Sequence, residues 1–151
     1  MKETMTDCKV GTLIHFGSKK FLPKQMEPIQ NREWIKPYGG LWCSPVNSEW
    51  GWKDWCKAEE FSSCDTSNSF QVKLHDWAKV LVIDNEEDLL KLYPKKYEFG
   101  EYDFERVAKE YDAIWLTVQG QDETRHSRPY NLYGWDCETV LIMNPECCYQ
   151  I

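Results

Sequence analysis

The chain lacks the marks of several protein classes. Its seven cysteines contain no Cys-x-x-Cys pair, and their odd number leaves one thiol outside any intramolecular bridging scheme. Cys147 and Cys148 are adjacent, which makes a mutual bridge sterically awkward. His75 and His126 have no partner at metal-ligand spacing, so no metal is expected. No apolar run approaches membrane-spanning length, and Met1 to Val10 carry no apolar stretch of the signal-peptide kind. These absences fit reduced thiols in a cytoplasmic protein with no membrane partner. Bases are also in short supply. The 18 Lys and Arg face 25 acids, a formal charge of −7, so nothing draws the chain generally to phosphate backbones or anionic lipid. Nucleic acid is therefore a disfavoured partner.

Aromatic residues, in contrast, are plentiful: eight Trp, eight Tyr and six Phe. Much of this load must pack, but excess Trp often lines a cleft for flat ligands. No internal repeat, low-complexity tract or domain boundary interrupts the sequence. Residues 1–151 read as a single domain, long enough to bury a real core.

Hydrophobic periodicity outlines the elements. Thr12 to Phe16 reads as a strand, and Lys19 to Tyr38, with Pro23, Pro28 and Pro37, as an extended excursion. Gly39-Gly40 ends the excursion and opens a strand from Leu41 to Ser44, on which Trp42 and Ser44 share a face. Trp50 to Glu60 places Trp52, Trp55, Cys56 and Glu59 at helical spacing. Ser62 to Ser69 is a polar loop, and Phe70 to Leu74 alternates as a half-buried strand should. Lys79 to Ile83 follows as a buried strand. Asn85 and Asp103 are suited to cap helices reaching Tyr93 and Tyr111. Ala113 to Val118 is another strand, Gln119 to Gly134 a polar connection, and Thr139 to Met143 the terminal strand. Strands at both ends with helices between, in no steady βαβ alternation, predict an α+β domain.

Three short stretches invite chemistry: Leu13-Ile14-His15-Phe16-Gly17, Gly40-Leu41-Trp42-Cys43-Ser44 and Cys137-Glu138-Thr139-Val140-Leu141-Ile142. Asp136 and Glu138 lie at alternate positions before the last strand. Strand alternation predicts that both point the way of Val140 and Ile142, where an acid must be solvated, paired or used.

The order of these three stretches resembles the ADP-ribosyltransferase fold, in the His-type branch shared by diphtheria toxin and the poly(ADP-ribose) polymerases. The resemblance covers most of the chain as an order of elements. It implies two small facing β-sheets with flanking helices, and NAD as co-substrate. It further implies that His15 bonds the adenosine-side ribose, and that Trp42 stands where the family usually has Tyr, beside the nicotinamide. Ser44 lies at the end of that strand, and a second stacking aromatic is expected in the following helix, from Trp50 or Trp52. Glu138 takes the catalytic position, holding the nicotinamide ribose. A fixed carboxylate there opposes the oxocarbenium-like charge that develops as the glycosidic bond breaks. Asp136 stands where arginine-modifying members have an acid that orients the acceptor. The preceding segment supplies Arg125, His126, Arg128 and Tyr130 as acceptor contacts.

Each residue also has a plainer reading. His15 can be a structural histidine bonded to backbone, Trp42 a core residue, Asp136 a surface acid and Glu138 a solvated acid at a strand entrance. Two functions therefore stand side by side. One is NAD-dependent transfer of ADP-ribose to an unidentified acceptor, a protein or small molecule, with NAD glycohydrolysis as its variant. The other is a non-catalytic nucleotide- or protein-binding module that keeps the same cleft. A tRNA 2′-phosphotransferase of this fold ranks low, because the acidic chain lacks an obvious set of basic residues for the phosphate.

Overall fold

The computed structural model describes residues 10–32, 36–60, 65–95 and 102–151. Its strands are β1 (Leu13–Phe16), β2 (Leu41–Pro45), β3 (Ser69–Leu74), β4 (Val80–Ile83), β5 (Ala113–Leu116), β6 (Thr139–Ile142) and β7 (Cys148–Gln150). They form one mixed sheet in the order β4-β5-β6-β2-β1-β3-β7, in which only β4 and β5 run parallel. The α+β class holds, but the two facing sheets expected from the resemblance are a single continuous sheet.

The reason lies in the register of β1 and β2. They pair through Leu13 with Pro45 and Ile14 with Ser44. On its other edge β1 pairs with β3 along its whole length, Leu13 to Phe16, while Leu41 to Cys43 pair with β6. Two residue pairs thus join the halves, and the sheet is open between the rest of β1 and β2. Gly39 and Gly40 set this entry to β2, with φ of +88° and +74°. A Cβ on Gly39 would lie 2.1 Å from the Pro28 carbonyl oxygen, and one on Gly40 would lie 2.6 Å from Leu141 Cδ1. No side chain fits either position.

Alternate strand residues feed two cores. Leu81, Ile83, Ile114, Leu116 and Leu141 pack with Leu89, Leu92, Phe104, Val107, Leu132 and Trp135. Val80, Ala113, Val140 and Ile142 pack with Leu41, Cys43, Leu13 and Val72. Trp42 is paired with Leu141 and so belongs to the first face, while Cys43, paired with Val140, belongs to the second.

Helices α1 (Trp52–Ala58) and α2 (Phe104–Glu110) and a 3-10 helix at Glu86–Leu92 lie close to their predicted places. Asn85 and Asp103 cap as expected, accepting from the Asp88 and Arg106 amides. Helix α3 (Val118–Thr124) corrects the expected polar connection. Thr117 caps it by accepting from the Gly120 amide, and Gly120 brings it against the end of β4. A Cβ there would lie 2.0 Å from the Ile83 carbonyl oxygen. Gly120→Ala should therefore cost about 1–3 kcal/mol of overpacking, read as a lower urea midpoint at unchanged slope. An alanine variant as stable as the wild type would mean that α3 does not sit tightly on β4.

Cys43, Cys137, Cys147 and Cys148 are free and buried, whereas Cys56 is disulfide-bonded. The expectation of uniformly reduced thiols does not extend to Cys56. No helix among the described residues is long and apolar enough to cross a membrane.

Candidate functional site

A cavity of about 350 Å³ opens where β1 and β2 part, within the size range of small-molecule sites. Its walls include Ile14, His15 and Phe16 of β1, Trp42, Cys43 and Ser44 of β2, Trp52 of α1, Trp135, and Thr139 at the head of β6. Arg32 and Lys36 close it from the segment before β2.

His15 bridges the parted strands. Its Nδ1–H donates to the Trp42 carbonyl at 2.8 Å, in place of the main-chain pair that the splay removes. Nε2 of the neutral ring is thereby left as an acceptor. Burial draws the His15 pKa down, and the bond to Trp42 opposes that shift. Both readings of His15 meet in one residue: it is bonded to backbone and it lines the cavity. A second cavity of about 390 Å³ shares His15 and Trp42 as a wall and is closed by Phe21, Met26 and the Gly39-Gly40 turn.

Aromatic rings dominate the other side. Trp42 meets Trp135 edge-on at 5.0 Å, and Trp52 stacks on Trp55 at 4.8 Å and 12°. The Lys36 ammonium lies 5.4 Å from the Trp42 ring centre and 5.5 Å from that of Trp52, both within cation–π range. Asp136 Oδ2 approaches the same ammonium at 3.8 Å. Burial lowers the Lys36 pKa and raises that of Asp136, and their mutual attraction opposes both shifts. Arg32 sits over the Tyr38 ring at 4.7 Å, and its Nε is buried without a hydrogen-bond partner among the described residues.

Ser44 fastens the floor. Its buried hydroxyl donates to the Glu138 carbonyl at 2.9 Å and accepts from the Trp52 amide at 2.8 Å, tying β2 to the start of β6 and of α1. Of the two helical candidates, Trp52 lines the cavity. Trp50 donates its indole N–H to the Asp136 carbonyl at 3.1 Å and braces the segment leading to β6.

Glu138 lies 7% exposed, and it is not solvated. Its Oε2 accepts from the Trp115 indole N–H at 2.8 Å, on the face of Val140 and away from the cavity lining. Asp136 does not share that orientation. It ends a 3-10 turn with φ of +67°, outside the strand, so the alternation assumed for Asp136 and Glu138 fails at that residue. Thr139, one position on, presents its side to the cavity, and its hydroxyl donates to the Cys137 carbonyl at 2.9 Å.

The remaining sequence candidates fall elsewhere. Arg125 follows α3, with its guanidinium 5.7 Å from the Tyr133 ring centre. Arg128 lines a separate groove with Leu89, Leu90 and Tyr130. Sequence reasoning missed Arg32, Lys36, Trp135 and Thr139. Arg32 and Lys36 offered only a weak signal, two bases in a segment that reads as a polar excursion.

Among the described residues no group of three His, Cys, Asp or Glu side chains gathers to hold a metal ion. Comparison with protein-family models, with curated proteins and with solved structures found no match to this chain.

Proposed function

We propose that the cavity binds a nucleotide of the NAD class, such as NADH or ADP-ribose, and that the protein holds this ligand rather than cleaving it. One observation carries the reading: three indoles, the His15 acceptor and two cations converge on one cavity, while β6 presents Thr139 to it instead of a carboxylate. Indole faces suit a flat ring, cations suit a pyrophosphate, and an imidazole acceptor suits a ribose hydroxyl. Departure of nicotinamide leaves an oxocarbenium-like centre, and an uncharged threonine hydroxyl offers no charge to oppose it.

ADP-ribose transfer through Glu138, to a protein or small-molecule acceptor, is the second reading. Adjacency of β6, β2 and β1 favours it, since those strands bear Thr139, Trp42 and His15 and Glu138 immediately precedes β6. It requires the Glu138 carboxylate to leave Trp115.

Nicotinamide release separates the two. The binding reading predicts no free nicotinamide from NAD above the buffer control, by mass spectrometry, and equal nucleotide affinity in Glu138→Gln. The Gln side-chain oxygen still accepts from Trp115, so this variant should fold. Turnover by the wild type that falls on the order of a hundredfold in Glu138→Gln, about 3 kcal/mol of transition-state stabilisation, would instead support cleavage of NAD through Glu138, by transfer or by hydrolysis.

A further inference from the structure

We propose that Lys36 sets the charge selectivity of this cavity, admitting an uncharged or anionic planar group beside Trp42 and Trp52 and rejecting a cationic ring. The inference rests on the nucleotide-site reading and goes beyond it to the redox form of the ligand.

The ammonium lies at nearly the same distance from both indoles, 5.4 Å and 5.5 Å, so the position most favourable for a cation near the two π-faces is already taken. Asp136 holds it there from outside the lining, at 3.8 Å. A pyridinium ring entering beside Trp42 and Trp52 must either approach that charge or expel it from its carboxylate and both rings. Arg32, the second cation in the wall, adds to the same field; Asp136 offsets part of it from behind Lys36, and no carboxylate among the described residues lines the cavity itself. The oxidised nicotinamide of NAD carries a positive charge. The dihydronicotinamide of NADH does not, and both share the anionic pyrophosphate that the two bases favour. Lys36 thus discriminates between ligands of nearly equal shape.

Calorimetric titration of NAD and NADH into the wild type and into Lys36→Met tests this. Methionine keeps an unbranched stem and removes the charge. NADH should bind the wild type about tenfold or more tightly than NAD, a gap expected for a like-charge clash in a partly desolvated site. In Lys36→Met the gap should close to about twofold, with NAD gaining most. Equal affinities in the wild type, or a gap that survives in Lys36→Met, would overturn the role of Lys36 and leave the nucleotide site standing. Failure of both dinucleotides to bind either protein would reject the site itself, and the selectivity with it.

Discussion

Trp135→Ala should cost about 3–5 kcal/mol of stability, the usual penalty for emptying a fully buried aromatic site. Trp135 is 1% exposed and sits at the end of a 3-10 turn, between the core and the cavity. One contact is the edge of Trp42 at 5.0 Å and another the ring of Phe104 at 6.1 Å. Its removal leaves a void under both the Trp42 wall and α2. A domain with a total stability of about 5–15 kcal/mol would be left marginal. Trp77, 53% exposed, provides the control, and its alanine variant should lose well under 1 kcal/mol. Urea unfolding monitored by circular dichroism reads both. Equal midpoints for the two variants would mean that Trp135 is not the packing centre that its burial indicates.

Trp42→Ala should abolish most of the nucleotide affinity. Stacking on an aromatic face contributes about 1–3 kcal/mol, so affinity should fall between about fivefold and a hundredfold or more. The effect is separable from loss of fold. His15 bonds to the carbonyl of Trp42, and the strand pairs with β6 through its backbone, so both connections survive the substitution. Trp42→Phe should recover part of the affinity, because a phenyl ring keeps a π-face without the full indole area. Wild-type affinity in Trp42→Ala would move the ligand out of this cavity.

Much of the framework was legible from the sequence, for identifiable reasons. Phe70 to Leu74 alternates cleanly, and the structure has β3 there. The Asp103 cap and the spacing of Phe104, Val107 and Ala108 foretell α2, whose Phe104 and Val107 are fully buried. Helix α3 escaped notice because Val118 to Thr124 is mostly polar. It is held by the Thr117 cap and by the contact of Gly120 with β4, which depend on a strand distant in sequence. Strand β7 is short and follows a 3-10 turn at Pro145–Cys147, too brief for periodicity to register.

The site divides in the same way. His15, Trp42, Ser44 and Trp52 were visible as residues of strands and of a helix, where local spacing sets direction. Glu138 follows Val140 as alternation predicts, but there it bonds Trp115 and does not line the cavity, and alternation fails only at Asp136, whose φ is +67°. Lys36 and Arg32 reach the cavity from an irregular segment. No period in the sequence encodes where such side chains point, and only the packed fold brings Lys36 to Trp42 and Trp52 and Arg32 into the same wall.

Titration of ADP-ribose and NADH into the wild-type protein, followed by calorimetry and by tryptophan fluorescence together, tests the nucleotide site most directly. Saturable one-to-one binding should quench the indoles around the cavity, and the quench should weaken in Trp42→Ala along with the heat. No heat and no change in emission up to millimolar ligand would contradict the nucleotide site.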